Sequence, residues 1–293
     1  MSSAALPPRH FLLALAVVAV WGTNFVIIKV ALEHLPPLLF AALRFALAVL
    51  PAILFLPRPA ASWPNLAAYG VLIGVGQFGL LYLAMRSSIS PGLASLVIQT
   101  QVFFTIGLSM LFTQERLRPV QWVALGLAVA GIAVIALNTG GSTTLGGLAV
   151  TLVAAASWAA ANTVSRRAGR VDALAYVVWS SVFAVPPLLA LSWLVEGGEA
   201  IVAGLRSADA ATWAAVVWQS AGNTLFGFAA WGWLLARHPA ATVSPMALLV
   251  PVFGIATAAW WMGEPLPAWK LVAAALVIGG LALNLLRKHA TTR

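Results

Sequence analysis

The sequence holds no cysteine, seven acidic residues, four histidines and three tyrosines among 293 residues. Without cysteine there are no disulfides, no thiolate nucleophile and no cysteine-ligated metal. The shortage of charge excludes more. Charged residues make up 8 % of the chain, against about 25 % in a soluble domain. Apolar residues supply 62 %, where roughly 45–50 % is usual, and the mean hydropathy is +0.97. That leaves no room for a water-soluble domain of ordinary composition, and the chain reads as a polytopic membrane protein. An HExxH helix, a midplane carboxylate pair and a serine with an evident base are missing too, which counts against a membrane-embedded enzyme. Neither a metal nor a cofactor is expected.

What is present is a series of long apolar runs. A bilayer-crossing helix needs about 20 mainly apolar residues. Ten segments meet that length: 10–33, 36–57, 64–86, 90–112, 118–138, 146–167, 172–195, 211–236, 240–262 and 267–287. Breakers separate them, among them Pro36-Pro37, Pro57-Arg58-Pro59, Ser90-Pro91-Gly92 and the polar run from Asn138 to Thr144. The first run is too long for a signal-peptide core and is expected to stay as a helix. The net charge of +9 then sorts by side. The side of the N-terminus receives Arg9, Arg58, Arg116, Arg118, Arg166, Arg167, Arg170, Arg237, Arg287, Lys288 and Arg293, and the other receives Arg86, Arg206 and Lys270. By the positive-inside rule both termini are cytoplasmic. No nucleic-acid partner is needed to account for the basic excess.

The chain also repeats itself. WGTNFVIIK (21–29) and WAAANTVSR (158–166) each carry a Trp with a cation eight residues on, at an offset of 137. Further along, an offset of 149 pairs Ser95 with Ser244, Phe104 with Phe253, Glu115 with Glu264, Leu117 with Leu266, Gly131 with Gly280 and Ala133 with Ala282. Two halves follow, 1–140 and 141–293, with five spans each. An odd number of spans makes the second half enter the membrane from the opposite side. The expected fold is therefore an all-α integral membrane protein of ten helices built as a 5+5 inverted repeat. Inverted repeats underlie many alternating-access carriers, because two similar halves can exchange inward-open and outward-open shapes. Duplication without transport, as in a scaffold, is the other reading.

Ionisable groups inside hydrocarbon are costly and mark function by default. No Asp, Glu or His falls at mid-span; His10, His34, His238 and His289 lie near segment ends. Lys29 is about one turn from the end of the first segment, where it can snorkel to the interface. Arg44 lies some 12 Å into the second at about 1.5 Å per residue. It either attracts a substrate carboxylate or bonds to neighbouring helices. Asn24 and Asn162 occupy nearly equivalent places beside Trp21 and Trp158, and an amide both donates and accepts, which suits a zwitterion. Gln77, Gln99, Gln101, Gln219 and Asn223 either extend this lining or hold helices together. Gln219 and Asn223, four apart, are expected on one face.

Trp63, Trp122, Trp213 and Trp269 sit near helix ends as interfacial anchors. Trp21, Trp158, Trp179, Trp218 and Trp231, with Tyr82 and Phe104, either line a cavity or pack the core. Pro51, Pro186-Pro187, Pro245 and Pro251 are candidate hinges, since each removes a helical hydrogen bond. Gly70 and Gly74 make a small-xxx-small face for helix packing. Glu115 with Arg116 is a candidate gate or a plain helix-end charge.

The segments 21–45, 92–106, QERL (114–117), 157–167 and SPMALLVPVFG (244–254) resemble the drug/metabolite transporter superfamily, and within it the ten-helix EamA family, along nearly the whole chain. The resemblance implies a multi-pass protein of the bacterial inner membrane that moves small metabolites outward. It is nearest to exporters of cysteine, O-acetylserine and other amino acids, with aromatic amino-acid exporters as relatives. Proton-coupled multidrug members resemble one another in carrying a glutamate in the first helix, where this chain offers Trp21, Thr23 and Asn24. The expected function is export of amino acids or related metabolites, without proton coupling through a midplane carboxylate. A carrier of sugars, nucleotide-sugars or drug-like solutes is the alternative, and a pore or an embedded enzyme stands further off. The expected partners are a small-molecule substrate and membrane lipids, with monomer and homodimer both open.

Overall fold

The computed structural model describes residues 6–113 and 119–288, and Glu115 and Arg116, the candidate gate, lie outside the described residues. Ten helices run in chain order: α1 (Pro8–Ala31), α2 (Pro37–Leu54), α3 (Trp63–Ser87), α4 (Pro91–Leu111), α5 (Pro119–Leu137), α6 (Leu145–Arg166), α7 (Ala173–Glu196), α8 (Ala210–Arg237), α9 (Ser244–Met262) and α10 (Ala268–Leu285). No strand occurs among the described residues. Nine of the ten are long and apolar enough to cross a membrane alone. The exception, α8, passes only together with the short helix Gly198–Ser207, which meets it at 104°. Its polar run from Gln219 to Thr224 dilutes an otherwise apolar span.

Helix is the form a spanning segment must take, because hydrocarbon supplies no water to a free backbone N–H or C=O. The ends are closed by side chains. Ser62, Thr144, Asp172 and Asp209 accept from the first-turn amides of Asn65, Gly147, Ala175 and Thr212. The Thr212 amide, and then its hydroxyl, hold the Asp209 carboxyl below its ordinary value. That cap is complete above the usual aspartate pKa and weakens as pH falls through the lowered one. Gly263, at φ 64°, ends α9 in the left-handed conformation that glycine takes without steric cost.

Prolines sit where a missing N–H does least harm. Regular helix in α2 stops at Val49, and Pro51 precedes a single turn, Ala52–Leu54. In α7 the helix runs Ala173–Ser181, breaks, and resumes over Val185–Leu191 with Pro186 in its first turn. The third case is α9, which begins as a 3-10 segment, Ser244–Leu248, with Pro245 in its first turn, and continues as Leu249–Met262 with Pro251 in the first turn.

The packing keeps its pattern when the two halves are exchanged. Helix α1 packs on α9 as α6 packs on α4, and α8 lies on α1 as α3 lies on α6. Likewise α2 meets α8 as α7 meets α3, while α2 packs on α7, α4 on α9 and α5 on α10. The α5–α10 contact shows the relation residue by residue. A Cβ at Gly131 would meet the Ala273 carbonyl and Val277, and one at Gly280 would meet the Ala124 carbonyl and the Ala128 amide. Ala124 and Ala128 stand 149 residues before Ala273 and Val277, the same offset that relates the two glycines. The small-residue face of α3 also has its partner: Gly70 closes on the Ser180 carbonyl and Gly74 on Ala184, both in α7.

Gly131→Ala and Gly280→Ala are each expected to lower stability by about 1–3 kcal/mol through overpacking. Gly126→Ala, with nothing within 4 Å of its Cβ, is expected to be neutral or slightly stabilising. Thermal unfolding of the purified variants in detergent checks all three.

Candidate transport site

Arg44 is the organising group of the interior. It projects from α2 and is 1 % exposed. Its Nη1 donates to the Tyr82 hydroxyl at 3.0 Å and its Nη2 to Thr224 Oγ1 at 2.7 Å. Tyr82 in turn donates to Gln219 Oε1 at 3.3 Å, and Thr224 donates to the Gln219 carbonyl. Ser220 Oγ donates to the Arg44 carbonyl at 2.8 Å. The guanidinium lies over the Phe78 ring at 3.9 Å and near that of Phe45 at 4.7 Å, and Tyr82 stacks on Phe40. No carboxylate pairs with it among the described residues. Two buried donors, Arg44 Nε and Gln219 Nε2, have no protein partner.

A change of helix type builds this arrangement. α8 is π-helical from Trp218 to Phe226, and α3 is π-helical from Leu72 to Gly79. The wider i→i+5 turn sets Thr224 over the Gln219 carbonyl. Asn223 instead lies toward α1, where its carbonyl accepts from Trp21 Nε1 at 3.1 Å. Gln219 and Thr224 both join the Arg44 cluster through their side chains. Each repeat carries such a segment in its third helix, and Gln77 is buried within the one in α3.

The expected site residues fall into separate groups. Arg44 and Tyr82 form the first. Trp21, Asn223 and Trp231 form a second between α1 and α8, where Trp21 also lies 5.9 Å from Phe228. Gln101 and Asn162 form a third, joined at 3.0 Å across α4 and α6 with Thr105 beside them. Asn24 is buried on α1, its Oδ1 without a protein partner, so it and Asn162 occupy different surroundings. Trp158 is partly buried against the core. Trp179 belongs elsewhere, donating to the Leu56 carbonyl and packing on Trp63.

Other residues resolve differently. Trp218 and Phe104 turn outward, 39 % and 38 % exposed. Lys29 does not snorkel freely, because its ammonium binds the Met85 and Arg86 carbonyls at 3.0 and 2.7 Å. A cation there complements the negative end of α3. Thr224, Ser220, Phe45 and Phe78 were not singled out from the sequence. For Thr224 and Ser220 the visible signal is the polar run in α8, and for Phe45 and Phe78 the sequence shows none.

Exposure differs between the halves. All ten residues Pro91 to Thr100 at the start of α4 are buried. Their counterparts at an offset of 149 open α9, and from Thr242 to Leu249 all but Val243 are partly exposed. Equivalent segments thus meet closed packing on the face opposite the termini and loose packing on the face of the termini.

Ten helices, nine of them long and apolar enough to cross a membrane alone, around a polar and aromatic interior define a multi-pass membrane protein. A family model described as the EamA-like transporter family matches twice, over residues 9–137 and 145–286. The chain belongs to the EamA-like transporter family. It is 41 % identical over 278 residues to a "Probable amino-acid metabolite efflux pump" of Salmonella typhimurium, covering 93 % of each chain. It is 38 % identical, again over 93 % of each, to the protein of that name in Escherichia coli. A "Probable terminal-alkyne amino-acid exporter" of Streptantibioticus cattleyicolor is 29 % identical over 91 % of this chain and 90 % of its own. A solved crystal structure at 20 % identity superposes with a TM-score of 0.64, covering 96 % of this chain and 98 % of that one, and shares the fold.

Thr224→Val and Tyr82→Phe each remove an acceptor from the buried guanidinium and are expected to cost about 1–3 kcal/mol. Their effects should be non-additive, because both act on one group. A double-mutant cycle by thermal unfolding measures the coupling.

Proposed function

We propose that this protein exports amino acids or closely related small metabolites across a bacterial inner membrane by alternating access, with both termini in the cytoplasm. One observation carries the substrate class. Arg44 is a permanent cation buried between α2, α3 and α8 without a carboxylate partner among the described residues. A buried charge is costly until it is paired. The α-carboxylate of an amino acid supplies that partner, and Arg44 Nε and Gln219 Nε2 are the donors left for it. Tyr82 and Gln77 flank this end, and Asn24, Asn223, Trp21 and Trp231 receive the rest of the molecule. Gln101, Asn162 and Trp158 line the route toward the termini. The printed names of the relatives, efflux pump and exporter, support the direction of transport.

The duplication supports the mechanism. The halves 1–140 and 141–293 act as the two moving bodies, and the double family match supports this division. The breaks beside Pro51, Pro186 and Pro245 serve as hinges, because the helix is already interrupted there, and Pro251 removes one more helical hydrogen bond just past the third. With no Asp, Glu or His at mid-span in the sequence, no side chain on the route exchanges a proton, and transport proceeds as facilitated efflux or exchange.

Counterflow of radiolabelled amino acids into proteoliposomes tests this reading. Flux is expected to saturate and to rise with substrate on the far side, and an imposed pH gradient should drive no accumulation. The carboxamide of the preferred amino acid should not be carried. Arg44→Gln should lower kcat/KM by at least ~30-fold, the scale of removing one partner of a buried charge pair. Unsaturable flux would rule out a carrier, and equal transport of acid and carboxamide would remove Arg44 from the site.

A further inference from the structure

Glu264 follows α9 on the face opposite the termini, yet its carboxylate serves the other half of the chain. Oε1 accepts from the Ser90 hydroxyl, and Oε2 accepts from the Gly92 amide at 3.0 Å. Both donors lie at the start of α4, where the first amides of a helix have no partner of their own. Lys270, from α10, completes the set: its Nζ lies 2.8 Å from Glu264 Oε1 and donates to the Pro265 carbonyl at 2.8 Å. The two charged side chains are 5 % and 8 % exposed, so solvent screens the pair little. Gly92 is tight against the carboxylate, since a Cβ there would meet Oε1 at 3.0 Å.

We infer that Glu264 is the latch of the face opposite the termini, pinning the start of α4 to the α9–α10 connection. The closed packing of that face supports this. The ten residues Pro91 to Thr100 are buried, while of their repeat counterparts from Thr242 to Leu249 all but Val243 are partly exposed. For substrate to leave on that side, α4 has to part from the second half, and Glu264 is the charged group holding the two together there. A second carboxylate on the same face acts in parallel. Glu196 of α7 accepts from the amides of Leu38 and Leu39 at the start of α2, at 2.7 and 3.1 Å. Glu264 differs in being balanced by a lysine of its own half. When it releases Ser90 and Gly92 it keeps a counter-charge, so the contact can break without stranding a carboxylate. Glu264 is thus a positioning residue for the transport cycle and does not touch substrate.

The absence of native cysteine gives a direct test. Ser95→Cys, buried on α4, and Ser244→Cys, its partly exposed counterpart on α9, each serve as a single reporter for a membrane-impermeant maleimide. In Glu264→Ala, labelling at position 95 should rise about tenfold and labelling at position 244 should fall, as a shifted two-state equilibrium requires. Glu264→Gln should give a smaller shift in the same sense, since it keeps an acceptor oxygen but not the charge. A structural role alone would loosen both reporters together, and that result, or no change at either, overturns the latch. If Glu264→Ala fails to fold, Glu264→Gln and Lys270→Met carry the same comparison. The labelling readout needs no substrate, so it stands or falls apart from the amino-acid assignment.

Discussion

Hydrocarbon offers a polar group no water, and every structural choice in this protein answers that constraint. Backbone groups are satisfied inside ten helices, and the first-turn amides left over at helix ends are taken up by side chains. Some capping residues belong to the helix they cap, as Asp172 does. Others, Glu196 and Glu264, reach across from the opposite half. A requirement of local chemistry is thereby turned into a tie between two bodies. The same constraint makes Arg44 conspicuous, because its hydroxyl and aromatic neighbours satisfy hydrogen bonds without neutralising its charge.

The two polar third helices, α3 and α8, share a further device. A π-helical stretch widens the turn and leaves carbonyls and side chains in positions an α-helix would not offer. In α8 that stretch brings Gln219, Ser220 and Thr224 to Arg44 while Asn223 meets Trp21. One short segment therefore touches two of the three polar groups of the interior. Carrying the contacts to Arg44 and Trp21, α8 is the one of the ten helices not apolar enough to cross a membrane by itself.

Much of the architecture was legible from the sequence, because a bilayer demands long apolar runs and punishes anything else. The ten segments, their breaks at proline and glycine, and the repeat offset of 149 all follow from patterns that one chain displays. Gly131 and Gly280, paired only by that offset, fill reciprocal places in the α5–α10 contact. Partners were not legible. Lys29 sits where snorkelling is the natural reading, and only the fold brings the end of α3 within its reach. Lys270 counts in the sequence as one more cation on the side opposite the N-terminus, yet it is buried against Glu264. The π-helical stretch in α8 was not legible either, and with it the bond from Thr224 to the carbonyl five residues before it.

The reciprocity of α5 and α10 is of a kind found between separate chains. A contact in which residue i meets j while the mate of i meets the mate of j is isologous, the form taken by surfaces that bind copies of themselves. Here both sides of the contact lie in one chain, so the self-complementary surface is closed inside the molecule. The single chain keeps that geometry while freeing each half to vary. The halves have diverged within it: the lysine that balances Glu264 has Gln121 at the matching place of the first half.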